Sequence, residues 1–302
     1  MAPRQTFSYL QHQFAAAGLQ PQTRFGQNFL IDLNLVELIA KTAELTPQDV
    51  VLEVGTGMGS LTTIMAAQAG HVLTVEIDHF LAPLAQREFE RFDNITLMQQ
   101  DALKSKNQLH PQVVETLVGI TQSIPDAKIK LVANLPYNVA TPILSNLLDI
   151  QPLPTRMVAT IQRELAERIT APISCKDYSA LSIWIQAQCQ AEIVRIMPPA
   201  VFWPRPKVDS AILDIRPQSE LRSRIEDPHH FHALIRDIFL HRRKFLRSAL
   251  ASAIKDRASK AQVDQILKSM ELQPNVRAEE LTPEQFIQLD RLVRTMICES
   301  SS

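Results

Sequence analysis

The segment VVLEVGTGMG (50–59) decides the fold of this chain. VVLEV (50–54) is an apolar run, which is typical of a strand buried on both faces. It continues directly into three glycines within five residues, Gly55, Gly57 and Gly59. Glycines at the end of such a strand let the backbone turn sharply and approach a ligand closely. The segment therefore predicts a strand–turn–helix unit with a phosphate or nucleotide site at the turn.

Glycine is scarce in the rest of the chain. The 302 residues include seven glycines, all before residue 120, whereas ordinary usage of about 7% would give about twenty. A chain that uses glycine so rarely places it where a side chain is not tolerated. Three glycines in one turn thus indicate a functional site.

Strands and helices alternate on both sides of this turn. Helical spacing appears at 33–45, 60–69 and 80–92. The predicted strands are VVLEV (50–54), HVLTVEI (71–77), ITLMQ (95–99), KLVANL (130–135) and RMVATIQ (156–162). This alternation predicts an α/β fold with a mostly parallel, doubly wound sheet that carries helices on both faces.

The pattern changes in the last third of the chain. AEIVRIM (191–197) and SAILDIRP (210–217) are joined by a proline-rich link with no room for a crossover helix, so we expect these strands to be antiparallel. From about residue 220 only helical periodicity remains. We therefore predict two domains, an α/β domain at 1–218 and a small all-helical domain at 219–302.

Composition limits the class of protein. Hydrophobic residues make up 45% and charged residues 21% of the chain, a globular balance. No run approaches eighteen apolar residues, and the N-terminal segment lacks the apolar core of a signal peptide. Cys175, Cys189 and Cys298 form neither a disulfide framework nor a CxxC metal pair. We therefore expect a cytoplasmic protein without a metal site.

Charge is distributed unevenly along a chain whose net charge is -1. Residues 221–260 contain ten basic and four acidic residues, a local charge of +6, whereas the first 150 residues have a local charge of -5. Such asymmetry indicates a partner with phosphates near the C-terminal part. The candidate phosphate-binding residues are Arg242, Arg243, Lys244 and Arg247.

The turn chemistry separates the candidate ligands. A dinucleotide fingerprint, G-x-G-x-x-G, would need glycine at Ser60, and no Lys-Ser/Thr pair follows, which excludes a P-loop. A GxGxG turn with an acid at the end of the next strand, Glu76, matches sites for S-adenosyl-L-methionine. A carboxylate there can accept hydrogen bonds from both ribose hydroxyls. The alternative is a tight strand–helix turn beside a solvated acid.

Two later segments end strands at the same edge of the sheet. Asp101 could accept from an adenine amine, or it could simply cap a loop or helix. In NLPY (134–137), the oxygen of Asn134 and a backbone carbonyl could accept from the exocyclic amine of an adenine. Pro136 would stiffen that loop, and Tyr137 could stack on a flipped base. The alternative is an ordinary turn.

These motifs together resemble the adenine-N6 dimethyltransferases of ribosomal RNA. The matching segments, in order along nearly the whole chain, are RFGQNFLID (24–32), VLEVGTGMGSLT (51–62), VEID (75–78), QQDAL (99–103), NLPYNVATPIL (134–144), FWPRPKVDSAIL (202–213) and HRRKFLRSAL (241–250). The last of these resembles the family's basic helix. Around Tyr178 the chain reads YSALS, where relatives usually have a glycine and a basic residue.

The resemblance implies a Rossmann-like class I methyltransferase sheet and roles for particular residues. Asn134, Leu135, Pro136, Tyr137 and Phe202 would form the catalytic site, with Phe202 as a second stacking face opposite Tyr137. A core position is an equally good interpretation of Phe202. The cofactor-binding set implied by the resemblance is Asn28, Leu30, Gly55, Gly57, Glu76, Asp101 and Asn134.

The resemblance also implies a function. It predicts an enzyme that uses S-adenosyl-L-methionine to dimethylate N6 of two adjacent adenosines in a terminal hairpin loop of small-subunit (16S) rRNA. The expected partner is the immature small ribosomal subunit, and the expected state is a monomer. Two alternatives are a large-subunit rRNA adenine-N6 methyltransferase of the macrolide-resistance type and a non-catalytic ribosome-assembly or mitochondrial transcription factor on the same fold.

Overall fold

The structure is a computed structural model that describes residues 6–22, 25–106, 108–255 and 257–300. Residues 299 and 300 are described by their backbone alone. Arg24, the first residue of the RFGQNFLID segment, lies outside the described residues. No helix among the described residues is both long enough and apolar enough to cross a bilayer.

Strands and helices alternate as the sequence predicts. The strands are β1 (Phe29–Leu30), β2 (Asp49–Val54), β3 (His71–Glu76), β4 (Ile95–Gln99), β5 (Leu103–Ser105), β6 (Gln108–Leu109), β7 (Lys128–Asn134), β8 (Arg156–Gln162), β9 (Cys189–Met197), β10 (Phe202–Trp203) and β11 (Ser210–Pro217). The helices are α1 (Phe7–Ala16), α2 (Leu33–Thr42), α3 (Ser60–Ala66), α4 (Ala82–Phe89), α5 (Pro111–Ser123), α6 (Ala140–Asn146), α7 (Arg163–Ile169), α8 (Ala180–Gln186), α9 (Ser219–Arg222), α10 (Pro228–Phe239), α11 (Leu246–Ala253), α12 (Lys260–Ser269) and α13 (Pro283–Ser300).

A seven-stranded sheet with the order β4-β3-β2-β7-β8-β11-β9 is the centre of the fold. In this order, the first five strands (β4, β3, β2, β7 and β8) are parallel to one another, and β11 pairs antiparallel with β8. This confirms the predicted mostly parallel sheet. The two strands predicted to be antiparallel to each other, β9 and β11, are neighbours at its end. Every residue of β2 is buried, including the carboxyl-bearing Asp49 and Glu53, as expected of a central parallel strand that is covered on both faces. The strand order reverses beside β2, and the adjoining carboxyl edge is where open α/β sheets bind ligands.

The chain forms two compact units. The first comprises residues 1–166 and 192–216, and the second comprises 167–191 and 217–302. The predicted boundary at 218 assigned 167–191 to the first domain, whereas these residues pack with the C-terminal helices. This grouping has a clear cause inside the second unit, because the fully buried Tyr178 donates a hydrogen bond from its hydroxyl to the Leu281 carbonyl at 3.0 Å.

The C-terminal part is helical, as the periodicity predicts, but its basic segment is not one helix. α10 ends at Phe239 and α11 begins at Leu246. The residues between them form turns, so HRRKFLRSAL starts in a turn rather than in a basic helix. Both helices nevertheless contribute to an apolar core, because Phe231 and Ile235 of α10 and Leu250 of α11 are buried.

Candidate active site

A cavity of about 300 Å³ opens at the carboxyl edge of β2, β3 and β7. Its volume is at the lower end of the range of small-molecule sites. Nine of the predicted site residues line it, namely Asn28, Gly55, Gly57, Glu76, Asp101, Asn134, Leu135, Pro136 and Tyr137. Segments far apart in sequence therefore meet here, because parallel strands end at the same edge of the sheet.

The glycine turn leaves no room for a side chain beside the NLPY loop. Gly55 has a φ of +89°, which side chains rarely tolerate. A Cβ at this position would lie 3.2 Å from Pro136 Cδ. The Gly55 N–H donates to the Val75 carbonyl at 2.9 Å. Gly55 thus allows β2 to turn while the proline loop packs directly over it, which forms the floor of the cavity.

Glu76 is a buried carboxylate with two backbone partners. Its Oε2 accepts the Gly57 N–H at 2.8 Å, and its Oε1 accepts the Asp78 N–H at 2.9 Å. The side chain is 4% exposed and lines the cavity. Burial raises its pKa above the ordinary value and the charge of Asp78 adds to this, while backbone hydrogen bonds from Asp78, Gly57 and Ile77 act in the opposite direction. The carboxyl group is therefore fixed, with oxygen lone pairs left for a ligand.

The Asn134 amide at the end of β7 is also fixed. Its Nδ2 donates to the backbone carbonyl of Asn28 at 2.8 Å. Because this bond engages the NH₂ group, Oδ1 is the acceptor that the side chain keeps for a ligand. The bond also joins the predicted Asn28 and Asn134 directly, although 106 residues separate them.

Tyr137 is half-buried, and its hydroxyl is engaged away from the cavity. Its Oη lies 2.6 Å from the hydroxyl of Ser210, which is fully buried in β11. Burial raises the pKa of Tyr137, so the phenol stays neutral. The hydroxyl bond restrains the ring, and Tyr137 is one of the residues that line the cavity.

Asp101 has both of the features that the sequence left open. It lines the cavity, and its Oδ1 also accepts the Leu103 N–H at 2.8 Å, which closes a local turn. Its second oxygen, Oδ2, is not part of that bond. Loop capping and ligand contact are therefore compatible at this residue.

Leu30 and Phe202 are the two predicted catalytic or cofactor-binding residues that do not line the cavity. Their backbones pair as neighbours in the short β1–β10 ladder. Phe202 is 1% exposed and belongs to the apolar core with Ile212 and Val158. The stacking role predicted for it is therefore corrected to a core position, since a ring enclosed by aliphatic side chains offers no face to a base. Leu30 lines a smaller, neighbouring cavity of about 60 Å³.

Sequence reasoning missed Gln27 and Gln100, which also line the cavity. Gln27 donates from Nε2 to Asp78 Oδ2 at 2.8 Å, and its Oε1 accepts the Gln22 N–H at 2.7 Å. Gln27 and Asp78 both lie in segments that carry the family resemblance, which was the available signal. Their contact across 51 residues is a tertiary feature.

A second buried carboxyl lies under the glycine turn. Glu53 is 1% exposed, and its Oε2 accepts hydroxyl hydrogen bonds from Thr62 and Thr74, each at 2.6 Å. The Thr74 hydroxyl lies 2.6 Å from that of Thr56 in the turn. Burial is the largest effect and raises the pKa of Glu53 to about 8. The hydrogen bonds from Thr62 and Thr74 act to lower this pKa, and the nearby Glu76 charge acts to raise it. Burial thus favours the neutral acid form of Glu53.

The four predicted phosphate-binding residues belong to the second unit. Arg242 donates from Nε to Glu279 Oε2 at 2.8 Å, and from Nη2 to the Cys175 carbonyl at 3.1 Å. Arg247 forms a two-pronged ion pair with Asp264, with an Nη2–Oδ2 distance of 2.7 Å. Arg243 and Lys244 are exposed. Two of the four cations therefore already have acidic partners.

The sheet order and the cavity define the class of protein. A glycine turn after the central strand, with a fixed carboxylate at the end of the next strand, is the arrangement of class I, S-adenosyl-L-methionine-dependent methyltransferases. The residues fit that cofactor. Glu76 holds two acceptor oxygens at the cavity, and Gly55, which has no Cβ, lets the backbone of the turn lie close to a ligand there.

Comparison with known proteins identifies the family. The family model described as "Ribosomal RNA adenine dimethylase" matches residues 18–293. The chain is 38% identical over 279 residues to "Ribosomal RNA small subunit methyltransferase A" of Ligilactobacillus salivarius, covering 92% of each chain. It is also 38% identical over 271 residues to the protein of that name from Streptococcus mutans, covering 89% of this chain and 90% of the relative. The chain belongs to the ribosomal RNA adenine dimethylase family.

Two solved structures share the fold of this chain. A dimethyladenosine transferase from Plasmodium falciparum superposes with a TM-score of 0.73 at 22% identity, covering 88% of this chain and 97% of the other, and shows the shared fold. The 23S rRNA methyltransferase ErmE superposes with a TM-score of 0.62 at 25% identity, covering 88% and 100% respectively.

Proposed function

We propose that this protein dimethylates N6 of two adjacent adenosines in a 3'-terminal hairpin loop of small-subunit (16S) rRNA, on the immature small subunit. The relatives that share 38% of its residues carry the name of the small-subunit enzyme. The observation that carries the proposal is that Glu76 and NLPY (134–137) face one cavity. A ribose-binding carboxylate and acceptors for an adenine amine then lie within one site.

S-adenosyl-L-methionine would supply an electrophilic methyl group on a sulfonium. Asn28, Gly55, Gly57, Glu76, Asp101 and Asn134 are the residues proposed to hold this cofactor. Glu76 would accept from the ribose hydroxyls through the lone pairs that its backbone partners leave free. Asp101 would accept from the cofactor's adenine amine through the oxygen that does not close its turn.

The target amine needs acceptors because its lone pair is delocalised into the adenine ring. Asn134 Oδ1 and a backbone carbonyl of the NLPY loop would accept its hydrogens, which localises the lone pair on nitrogen. The bond from Asn134 Nδ2 to the Asn28 carbonyl orients that amide before substrate arrives. Pro136 packs against Gly55 and stiffens the loop, and Tyr137 would stack on the flipped base.

The same site would act twice. Each transfer would form an N–C bond, break the bond from the methyl group to sulfur so that S-adenosyl-homocysteine leaves, and release one proton from the nitrogen to solvent. After the first transfer the nitrogen retains one hydrogen, which the same acceptors would bind during the second. Rate enhancement here comes from alignment and a good leaving group, so the proposal requires neither a metal nor a strong general base. We further propose that the protein acts as a monomer in the cytoplasm, with RNA contacts from the second unit.

Transfer of tritiated methyl groups to purified ribosomal subunits tests this function. The substrates are small subunits that lack the modification, mature small subunits and large subunits. We expect label only on the unmodified small subunits, as dimethyladenosine at two neighbouring positions after nuclease mapping. Label on the large subunit would instead support the macrolide-resistance type, which the superposition with ErmE makes the nearest rival. Cofactor binding without any label would support the non-catalytic factor.

A further inference from the structure

The turns between α10 and α11 combine exposed cations with exposed apolar side chains. We call residues 240–245 the basic turn. Within it, Leu240 is 74% exposed and Phe245 is 49% exposed, and both are among the exposed large hydrophobic residues of the described chain. Arg243 and Lys244, which lie between them in sequence, are exposed as well. An aromatic ring is thus presented next to two positive charges.

Contacts at both ends of the basic turn hold its backbone in place. The N–H of Leu246 donates to the Val276 carbonyl at 2.7 Å, and Phe245 forms an isolated antiparallel bridge with Arg277. At the other end, Arg242 is tied to Glu279 by its ion pair. These contacts lie within the second unit. Phe245 is therefore held on a fixed backbone while much of its side chain remains in solvent.

Exposure of a single apolar residue is common and indicates nothing by itself. The neighbours decide what the ring could contact. A protein partner would need a larger contiguous apolar patch than Leu240 and Phe245 provide. Exposed Arg243 and Lys244 favour phosphates, and an aromatic ring beside a phosphate-binding path is the arrangement on which unpaired bases stack.

We propose that Phe245 stacks on an unpaired base of RNA while Arg243 and Lys244 contact the flanking phosphates. This inference deepens the proposed function and rests on it for the identity of the RNA as ribosomal. It assigns to the second unit a preference for single-stranded nucleotides over a continuous duplex, since paired bases offer no free face to a ring. The two kinds of contact can be told apart, because the affinity gained from stacking is independent of salt concentration whereas the affinity gained from phosphate contacts is not.

Binding of a fluorescent twelve-nucleotide oligoadenylate and of a twelve-base-pair RNA duplex, each across a salt series, tests the inference. Phe245→Ala should weaken oligoadenylate binding about 5- to 150-fold, the range for loss of one stacked base. The slope of log affinity against log salt should not change, and duplex binding should stay near the parental value. Phe245→Trp should restore oligoadenylate binding, since it keeps a stacking face.

Leu240→Ala is the matched control, because it removes an exposed apolar side chain without a ring from the same turn. An equal loss from both alanine variants would overturn stacking in favour of general apolar contact. Equal losses on oligoadenylate and duplex, an unchanged affinity in Phe245→Ala, or no parental binding of oligoadenylate would overturn it too. Unfolding midpoints should match throughout, since the ring is half exposed.

The outcome is separable from that of the proposed function. A parent that labels small subunits while Phe245→Ala binds oligoadenylate normally refutes the stacking role alone. A parent that binds oligoadenylate through Phe245 but labels no small subunit refutes the proposed function and leaves the stacking role standing.

Discussion

Replacement of Glu76 tests the cofactor site most directly. Its two oxygens each accept one backbone N–H, from Gly57 at 2.8 Å and from Asp78 at 2.9 Å. Glu76→Ala removes the proposed ribose acceptor. Glu76→Gln is not a neutral replacement, because either orientation of its amide turns an NH₂ group toward one of these N–H donors. We expect both variants to bind S-adenosyl-L-methionine more weakly.

The magnitude follows from the type of bond. A hydrogen bond to a charged acceptor contributes about 1.5–3 kcal/mol, so Glu76→Ala should raise the dissociation constant about 10- to 150-fold. Removing the carboxylate also leaves the Gly57 and Asp78 N–H groups without that partner, at about 1–3 kcal/mol each where water cannot replace it. Calorimetric affinity and urea unfolding must therefore both be measured on the same preparations.

A cofactor analogue separates a ribose contact from general damage. The parent should bind S-adenosyl-homocysteine more tightly than an analogue that lacks the ribose 2' and 3' hydroxyls. Glu76→Ala should show little difference between the two ligands, because the acceptor is gone. Glu115→Ala, which changes an exposed glutamate of α5, should behave as the parent. A folded Glu76→Ala protein that still discriminates fully between the ligands would falsify the ribose assignment.

Three further predictions concern catalysis, stability and RNA. Asn134→Ala should lower the single-turnover methylation rate about 100-fold or more at saturating cofactor, with little change in RNA affinity. The control Asn34→Ala, at an exposed site, should leave the rate unchanged. Near-parental dimethylation by Asn134→Ala would make Asn134 a turn residue only. Because burial raises the folded-state pKa of Glu53 from 4.5 to about 8, unfolding releases a proton in that window. The contribution of Glu53 to stability should therefore be greatest below pH ~4.5 and be lost as pH rises through about 8. Glu53→Gln, whose amide oxygen can still accept from Thr62 and Thr74, should flatten this dependence in urea titrations, and an unchanged pH slope would contradict the burial of a neutral acid. Arg243→Gln and Lys244→Gln should each reduce the salt slope of rRNA binding by up to about 0.9, and Arg247→Gln, whose guanidinium is paired with Asp264, by less; identical slopes in all three would favour a solvated surface.

Much of the fold could be predicted from sequence because its signals are local. The segments 50–54, 95–99 and 156–162 became strands at or within one residue of their predicted bounds, because short, mostly apolar runs bounded by turn residues are a local strand signal. The glycine turn and the acid at residue 76 could likewise be predicted from the sequence. Their spacing along one strand–helix–strand unit places them at the same sheet edge without any distant partner.

Tertiary contacts decided what these signals left open. Phe202 is an aromatic residue of the type that can stack on a base, but its packing with Ile212 and Val158 makes it part of the core. Arg242 and Arg247 count equally with Arg243 and Lys244 in any charge tally, and only the folded chain brings Glu279 and Asp264 to the first two.

The grouping of residues 167–191 with the C-terminal helices was likewise beyond the sequence. It depends on contacts such as the Tyr178–Leu281 hydrogen bond, which spans 103 residues. The sequence by itself determined the elements and the chemistry at their ends, because periodicity and turn residues act over a few positions. Only the tertiary structure decided which side chains remain available, because burial and pairing depend on residues that are distant along the chain.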